Sequence, residues 1–196
     1  MNIANLLYAP FGNNIVIGPH IRRQLEHLKE VLPPSYLRRR MDDLGCGDGR
    51  VTVLLNEVFQ PVRLRGFDIS PALVRMARTR GVDAEVLDLE CDVPRGELAV
   101  LWGVLHHLDD PHSCLRRVQD NYDLVCVREP LSGPSRVCFE LGSPLAEDEL
   151  AALLSDSLPG AQVLGCHDSL FALLDTSDES SAERVSHPVP PEAVPV

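Results

Sequence analysis

No stretch of the 196-residue chain approaches the roughly 20 consecutive apolar residues that a membrane-spanning helix needs, so no membrane association is expected. No C-x-x-C pair occurs among the six cysteines, Cys46, Cys91, Cys114, Cys126, Cys138 and Cys166, so the usual zinc spacing is missing and no metal site is predicted. Residues 1–17 lack the basic cluster and apolar core of a secretion signal. Several cysteines lie in apolar runs such as Leu124-Val125-Cys126-Val127, which predicts buried free thiols in a reducing, cytoplasmic setting. Positive charge is scarce: 18 Lys and Arg against 29 Asp and Glu leave a net charge of -11. Nucleic-acid binding draws its affinity from cations at phosphates, so such a chain is a poor candidate for it. Residues 1–40 run against that trend, with Arg22-Arg23 and Arg38-Arg39-Arg40. They read either as a solvated face or as a docking patch for an acidic substrate or partner.

What is present suits one hydrophobic core, at 44% apolar residues. Ile21, Leu25, Leu28 and Leu32 form one helical stripe, opened near Pro19 and stopped by Pro33-Pro34. From residue 41 the pattern alternates. Strands are predicted at 41–44, 62–67, 84–87, 98–102 and 123–127. Helices are predicted at 50–59, from Pro71 to Arg80 with Ser70 as cap and Gly81 as stop, and at 111–118. Strands separated by helices imply a parallel, doubly wound α/β sheet. A helix at 147–154 and two apolar stretches, 161–164 and 170–174, then predict an antiparallel hairpin at one edge. Three regions result: an N-terminal helical or lid segment at 1–40, a domain at 41–174, and a Ser-, Asp-, Glu- and Pro-rich tail at 175–196 expected to lack a fold of its own.

The chemistry centres on Asp43-Leu44-Gly45-Cys46-Gly47-Asp48-Gly49 at the end of the first strand. Alternate glycines let the backbone turn tightly and approach a ligand, and the next helix offers amides at its N-terminus. The nicotinamide fingerprint G-x-G-x-x-G fails, because Arg50 stands at its third glycine.

The spacing instead resembles the first motif of the class I S-adenosylmethionine-dependent methyltransferases, D-x-G-x-G-x-G, in the small-molecule (type 11/25-like) branch. That likeness continues with Asp68, in Gly66-Phe67-Asp68-Ile69, where the family places a carboxylate on the two ribose hydroxyls, and with Asp88-Leu89, where it contacts the adenine. Trp102-Gly103-Val104-Leu105-His106-His107-Leu108 resembles the family's V-L-H-H-L segment. The resemblance implies a Rossmann-like seven-stranded sheet, mostly parallel with an antiparallel C-terminal hairpin strand. It also implies S-adenosylmethionine as cofactor, held by Asp43, Gly45, Cys46, Gly47, Gly49, Asp68, Ile69, Asp88, Leu89 and Trp102. Three departures stand out: Asp42 where an apolar residue is usual, Asp48 where Thr or Ser is common, and Asp120-Asn121-Tyr122 in place of a Gly-containing turn.

Methyl transfer needs a base only when the acceptor must lose a proton. Candidates are His106, His107 and Glu129. For His107 the reading preferred is a ring packed beneath the loop and bonded to backbone. For Glu129 it is an ion pair with Arg128 or Arg136. Trp102 either lines the cofactor cleft or packs in the core. No N-P-P-Y tetrapeptide or Pro-Cys pair follows the fourth strand, which together with the acidic charge favours a small-molecule acceptor. Two other readings stay open: a non-catalytic cofactor- or partner-binding module, supported by the few residues (131–145) available for a substrate cap, and a protein or RNA acceptor docked on the basic N-terminal segment.

Overall fold

The computed structural model describes residues 17–132, 144–166 and 168–176. The predicted lid within 1–16, the cap segment within 133–143, Arg136, Cys138 and the tail beyond 176 lie outside the described residues.

Helix α1 (Ile17–Val31) precedes a short 3-10 turn, Pro34–Tyr36. Then follow β1 (Arg40–Leu44), α2 (Arg50–Phe59), β2 (Arg63–Asp68), α3 (Pro71–Thr79), β3 (Asp83–Val86) and β4 (Gly96–Trp102). A 3-10 turn at Leu105–His107 leads to α4 (Pro111–Asn121), β5 (Tyr122–Pro130), α5 (Glu147–Ser157), β6 (Gln162–Cys166) and β7 (Ser169–Asp175). Local chemistry explains several boundaries. Ser70 caps α3 by accepting from the Leu73 amide at 3.4 Å, with Pro71 at the first helical position. Asp110 does the same for α4 through the Ser113 amide at 3.0 Å, followed by Pro111.

The seven strands form one sheet in the order β3-β2-β1-β4-β5-β7-β6. β3 to β5 run parallel to their neighbours, while β7 lies antiparallel to both β5 and β6. The order reverses between β1 and β4, and there the crevice at the carboxyl ends of the strands opens. This is the doubly wound, mostly parallel sheet with a C-terminal antiparallel hairpin that the pattern predicted.

Both faces are covered, so the central strands are apolar throughout rather than alternating. In β4, Leu98 and Val100 face α1 and α2 in a cluster with Leu28, Met41, Leu55 and Phe59. Ala99 and Leu101 face α4 and α5 in a cluster with Leu44, Leu115, Val127 and Leu154. Burying each such side chain stabilises the fold by about 1.5–3 kcal/mol. Tyr36 closes the first cluster, its hydroxyl donating to the Leu174 carbonyl at 2.7 Å.

Two departures are resolved here. Strand β1 runs from Arg40 to Leu44, one residue longer at its start than predicted, and Asp42 within it is buried. Its carboxylate accepts from Arg65 Nε and Nη2 at 2.8 and 2.6 Å and from the Tyr122 hydroxyl at 2.7 Å. The polar residue is thus paired across three strands, as a buried charge must be. The turn expected at Asp120-Asn121-Tyr122 does not exist: α4 runs through Asn121 and β5 begins at Tyr122. The Tyr122 hydroxyl bond to Asp42 and the Asn121 side chain bonded to the Val93 carbonyl at 2.7 Å fix that junction.

Candidate cofactor site and the residues around it

The glycine-rich turn sits between β1 and α2, beside the carboxyl ends of β2 and β4. Gly45 has φ +87°, and a Cβ there would lie 2.3 Å from Val104 Cγ2, so only glycine fits. Gly47 has φ +54°, and a Cβ there would meet nothing within 4 Å: it would project into the crevice.

The amides of this turn are committed within the protein. Gly45 and Cys46 both donate to the Phe67 carbonyl, at 2.7 and 2.9 Å. Gly47 donates to Asp68 Oδ2 at 2.9 Å, and Arg50 to Asp48 Oδ1 at 3.2 Å. These bonds lock the turn onto β2. Cys46 points its side chain away from the crevice, into a cluster with Val74, Ala77, Val82 and Ala84. Asp48 bridges Arg50 and Arg80, at 2.9 and 3.4 Å.

Asp68 accepts from the Gly47 amide on one oxygen and from the Ser70 amide, at 2.8 Å, on the other. Each oxygen keeps a lone pair for a further donor. Burial raises its carboxyl above the usual range, against those two amides. Ile69, beside it, is half exposed. Asp88 closes the turn after β3, accepting from the Glu90 amide at 3.0 Å.

Asp43 lies beneath the turn. One oxygen accepts from Thr52 Oγ1 at 2.5 Å, and the other is buried with no hydrogen-bond partner among the described residues. Burial pushes its carboxyl up to about 7, with the Thr52 bond opposing and nearby Asp68 reinforcing the shift. Thr52 was missed from the sequence. It looks like any polar residue in a helix, and only the packing of α2 on β1 brings it to Asp43.

Residues 43–122 match a family model described as a methyltransferase domain, so this part of the chain is similar to that family. The chain is similar to the trans-aconitate 2-methyltransferase of Rhodococcus jostii, 41% identical over 63 residues, which are 32% of this chain and 25% of that protein. It is also similar to the malonyl-[acyl-carrier protein] O-methyltransferase of Anoxybacillus flavithermus, 25% identical over 88 residues, 44% of this chain and 33% of that one. The matches thus span only a quarter to a third of these relatives. Among solved structures, the magnesium protoporphyrin IX methyltransferase of Synechocystis with bound S-adenosylmethionine shares the fold. Its TM-score is 0.58 at 15% identity, covering 87% of this chain and 90% of that one.

In this protein the segment after β4 departs from the sequence-based expectations. Glu129, buried at the end of β5, is bonded to the segment after β4; Arg136, one of the two arginines suggested for it, lies outside the described residues. One oxygen accepts from the Val104 and Leu105 amides at 2.5 and 2.7 Å, and the other meets His106 Nδ1 at 2.8 Å. The reason is strand geometry: successive residues point to opposite faces, so Arg128 and Glu129 diverge. His107 is not tucked under the loop. It is exposed, its ring tilted against His106 with centroids 4.0 Å apart. Desolvation of its inner edge and the neighbouring His106 ring push it down to about 4, so it is neutral at pH 7.

Two residues expected at the cofactor have side chains packed in the core. Trp102 continues the Leu98, Val100 face of β4 and packs edge-on to Phe171 at 5.8 Å, with the Arg128 guanidinium over its ring at 5.6 Å. The period-2 pattern of β4 is the signal that would have placed it in the core. Leu89 is likewise buried in the core cluster with Phe67 and Leu115, so its side chain does not face the cleft. Among the described residues there is no cluster of His, Cys, Asp or Glu that could hold a metal ion. No helix there is long and apolar enough to cross a membrane.

Proposed function

We propose that this protein transfers a methyl group from S-adenosylmethionine to a small-molecule acceptor. The observation that carries this reading is the Gly47–Asp68 bond, which brings the glycine-rich turn and a buried carboxylate to one crevice. The residues present fit the cofactor. A Cβ at Gly47 would occupy empty space in the crevice, and Asp68 retains acceptor capacity for two adjacent hydroxyls. Asp43 keeps one buried oxygen without a partner beneath the turn, suited to a positively charged amino group nearby. Asp68 would take the ribose, Ile69 one face of the adenine, and Asp88 its amino edge. When bound, S-adenosylmethionine supplies an electrophilic methyl group on a sulfonium, open to in-line displacement. The protein's part is to hold the nucleoside end rigidly and orient an acceptor, which can lower the barrier by several kcal/mol.

A small-molecule acceptor is supported by the net charge of -11, which disfavours nucleic acid, and by the similarity to trans-aconitate 2-methyltransferase. The free cysteines Cys46, Cys114, Cys126 and Cys166, all buried, suit a reducing compartment such as the cytoplasm.

Calorimetric titration with S-adenosylhomocysteine tests the reading. The wild-type protein should give a saturable signal. Gly47→Val should abolish it, because the valine side chain fills the crevice, while a cooperative thermal melt persists at a somewhat lower temperature. Absence of heat in the wild type, or equal affinity in the variant, would overturn it.

A further inference from the structure

The arrangement of Glu129 and His106 has a chemical consequence for the acceptor. As a carboxylate, Glu129 has only acceptor oxygens, and Oε1 accepts from the Val104 and Leu105 N–H groups. Oε2 can then only accept, so the 2.8 Å contact places a proton on His106 Nδ1. In the neutral ring the lone pair therefore sits on Nε2, at the opposite edge. Nε2 has no hydrogen-bond partner among the described residues. Both side chains are almost wholly covered, at 5% exposure for His106 and 2% for Glu129, so this orientation is held in a water-poor setting. The ring also has room. Gly103, with φ +69°, presents no Cβ, and one would lie 3.8 Å from His106 Cε1. His106 stands in the turn after β4, the strand beside β1 where the crevice opens, and Glu129 at the end of the next strand, β5.

We propose that His106 is the proton acceptor for the substrate and Glu129 the positioning residue that sets its tautomer, so that the acceptor is a hydroxyl- or amine-bearing molecule whose nucleophilic atom carries a proton. The inference rests on the methyl-transfer reading. In the step performed by this chain, the acceptor X–H bond breaks heterolytically, the proton passes to Nε2, and the electron pair stays on X, the atom that takes the methyl group. The imidazolium, matched by the Glu129 carboxylate, returns its proton to solvent afterwards. A carboxylate acceptor is already deprotonated at neutral pH and would need no such pair.

The tautomer can be read without any cofactor. In the full chain labelled with 15N-histidine, two-bond nitrogen–proton spectra at pH 8 should show His106 protonated at Nδ1. Glu129→Gln, whose amide can donate to Nδ1, should move the proton to Nε2 while the thermal melt remains cooperative. If wild-type His106 carries its proton on Nε2, the proposal fails, whatever the outcome of cofactor binding. Turnover supplies the second arm, with methyl-labelled S-adenosylmethionine and separate panels of phenols, aliphatic alcohols, amines and carboxylic acids. Transfer to hydroxyl or amine acceptors should fall at least 100-fold in His106→Gly and be partly restored by added imidazole. Rescue by imidazole would not follow from a purely structural role. Transfer confined to carboxylic acids, or a His106→Gly variant as active as wild type, would overturn the assignment. A loss of S-adenosylhomocysteine binding in the wild type would instead strike the methyl-transfer reading itself.

Discussion

Asp42 and Asp43 are consecutive in β1, both buried, and held in opposite ways. Asp42 faces the α4 and α5 side, where two guanidinium nitrogens and a phenol satisfy it. Asp43 faces the α2 side, where one threonine hydroxyl reaches one oxygen and the other oxygen has no partner. A fully satisfied buried carboxylate stabilises a fold; a half-satisfied one raises its energy and lies open to a ligand. The division follows position. Asp42 lies mid-strand against the foot of β5, whereas Asp43 lies next to the crevice.

Breaking the satisfied side should have the largest effect. Asp42→Ala leaves the Arg65 guanidinium and Tyr122 hydroxyl without their acceptor, and urea unfolding should show a loss of about 3–5 kcal/mol. Asp43→Asn should do the reverse in a pH-dependent way. The folded carboxyl titrates at about 7, above the roughly 3.9 of an unfolded chain. Its contribution is therefore fully present below about pH 4 and lost as pH rises toward 7. The asparagine variant should lack that loss, so the stability difference between variant and wild type should change by about 2–4 kcal/mol across this range, and parallel curves would sink the idea. Asp68 stands between the two extremes, with two amides bound and capacity left. Asp68→Ala should weaken S-adenosylhomocysteine binding by roughly 1–3 kcal/mol, about 5- to 150-fold by calorimetry. The smallest effect is expected from Arg63→Ala. That residue pairs with Asp83 at 3.5 Å between two exposed side chains, and its loss should change stability by no more than about 0.5 kcal/mol. A larger effect would show that pairing, rather than burial, governs the contrast.

The strands and helices were legible in the sequence because their signals are local: the Ser70-Pro71 and Asp110-Pro111 starts, the stop at Gly81, and the apolar run of β4. The crevice was legible too, since glycine spacing and Asp68 belong to adjacent strand ends. What escaped depends on contacts between distant segments. Thr52 meets Asp43 only after α2 packs on β1, and Tyr122 meets Asp42 across 80 positions. Glu129 meets the Val104 and Leu105 amides, and Trp102 meets Phe171, only in the assembled sheet, where a strand separates neighbours onto opposite faces and joins alternate residues. A pattern of glycines shows where backbone can come close but not which carbonyls its amides take.

The direct passage of α4 into β5 leaves that junction without slack. One residue added between Asn121 and Tyr122 would rotate every later side chain of β5 to the other side of the sheet. Glu129 would leave the two amides it holds, and Arg128 would turn toward the leucines of α5. An error of a single codon there would undo the core and the crevice together, while the register of β1 to β4 stayed intact.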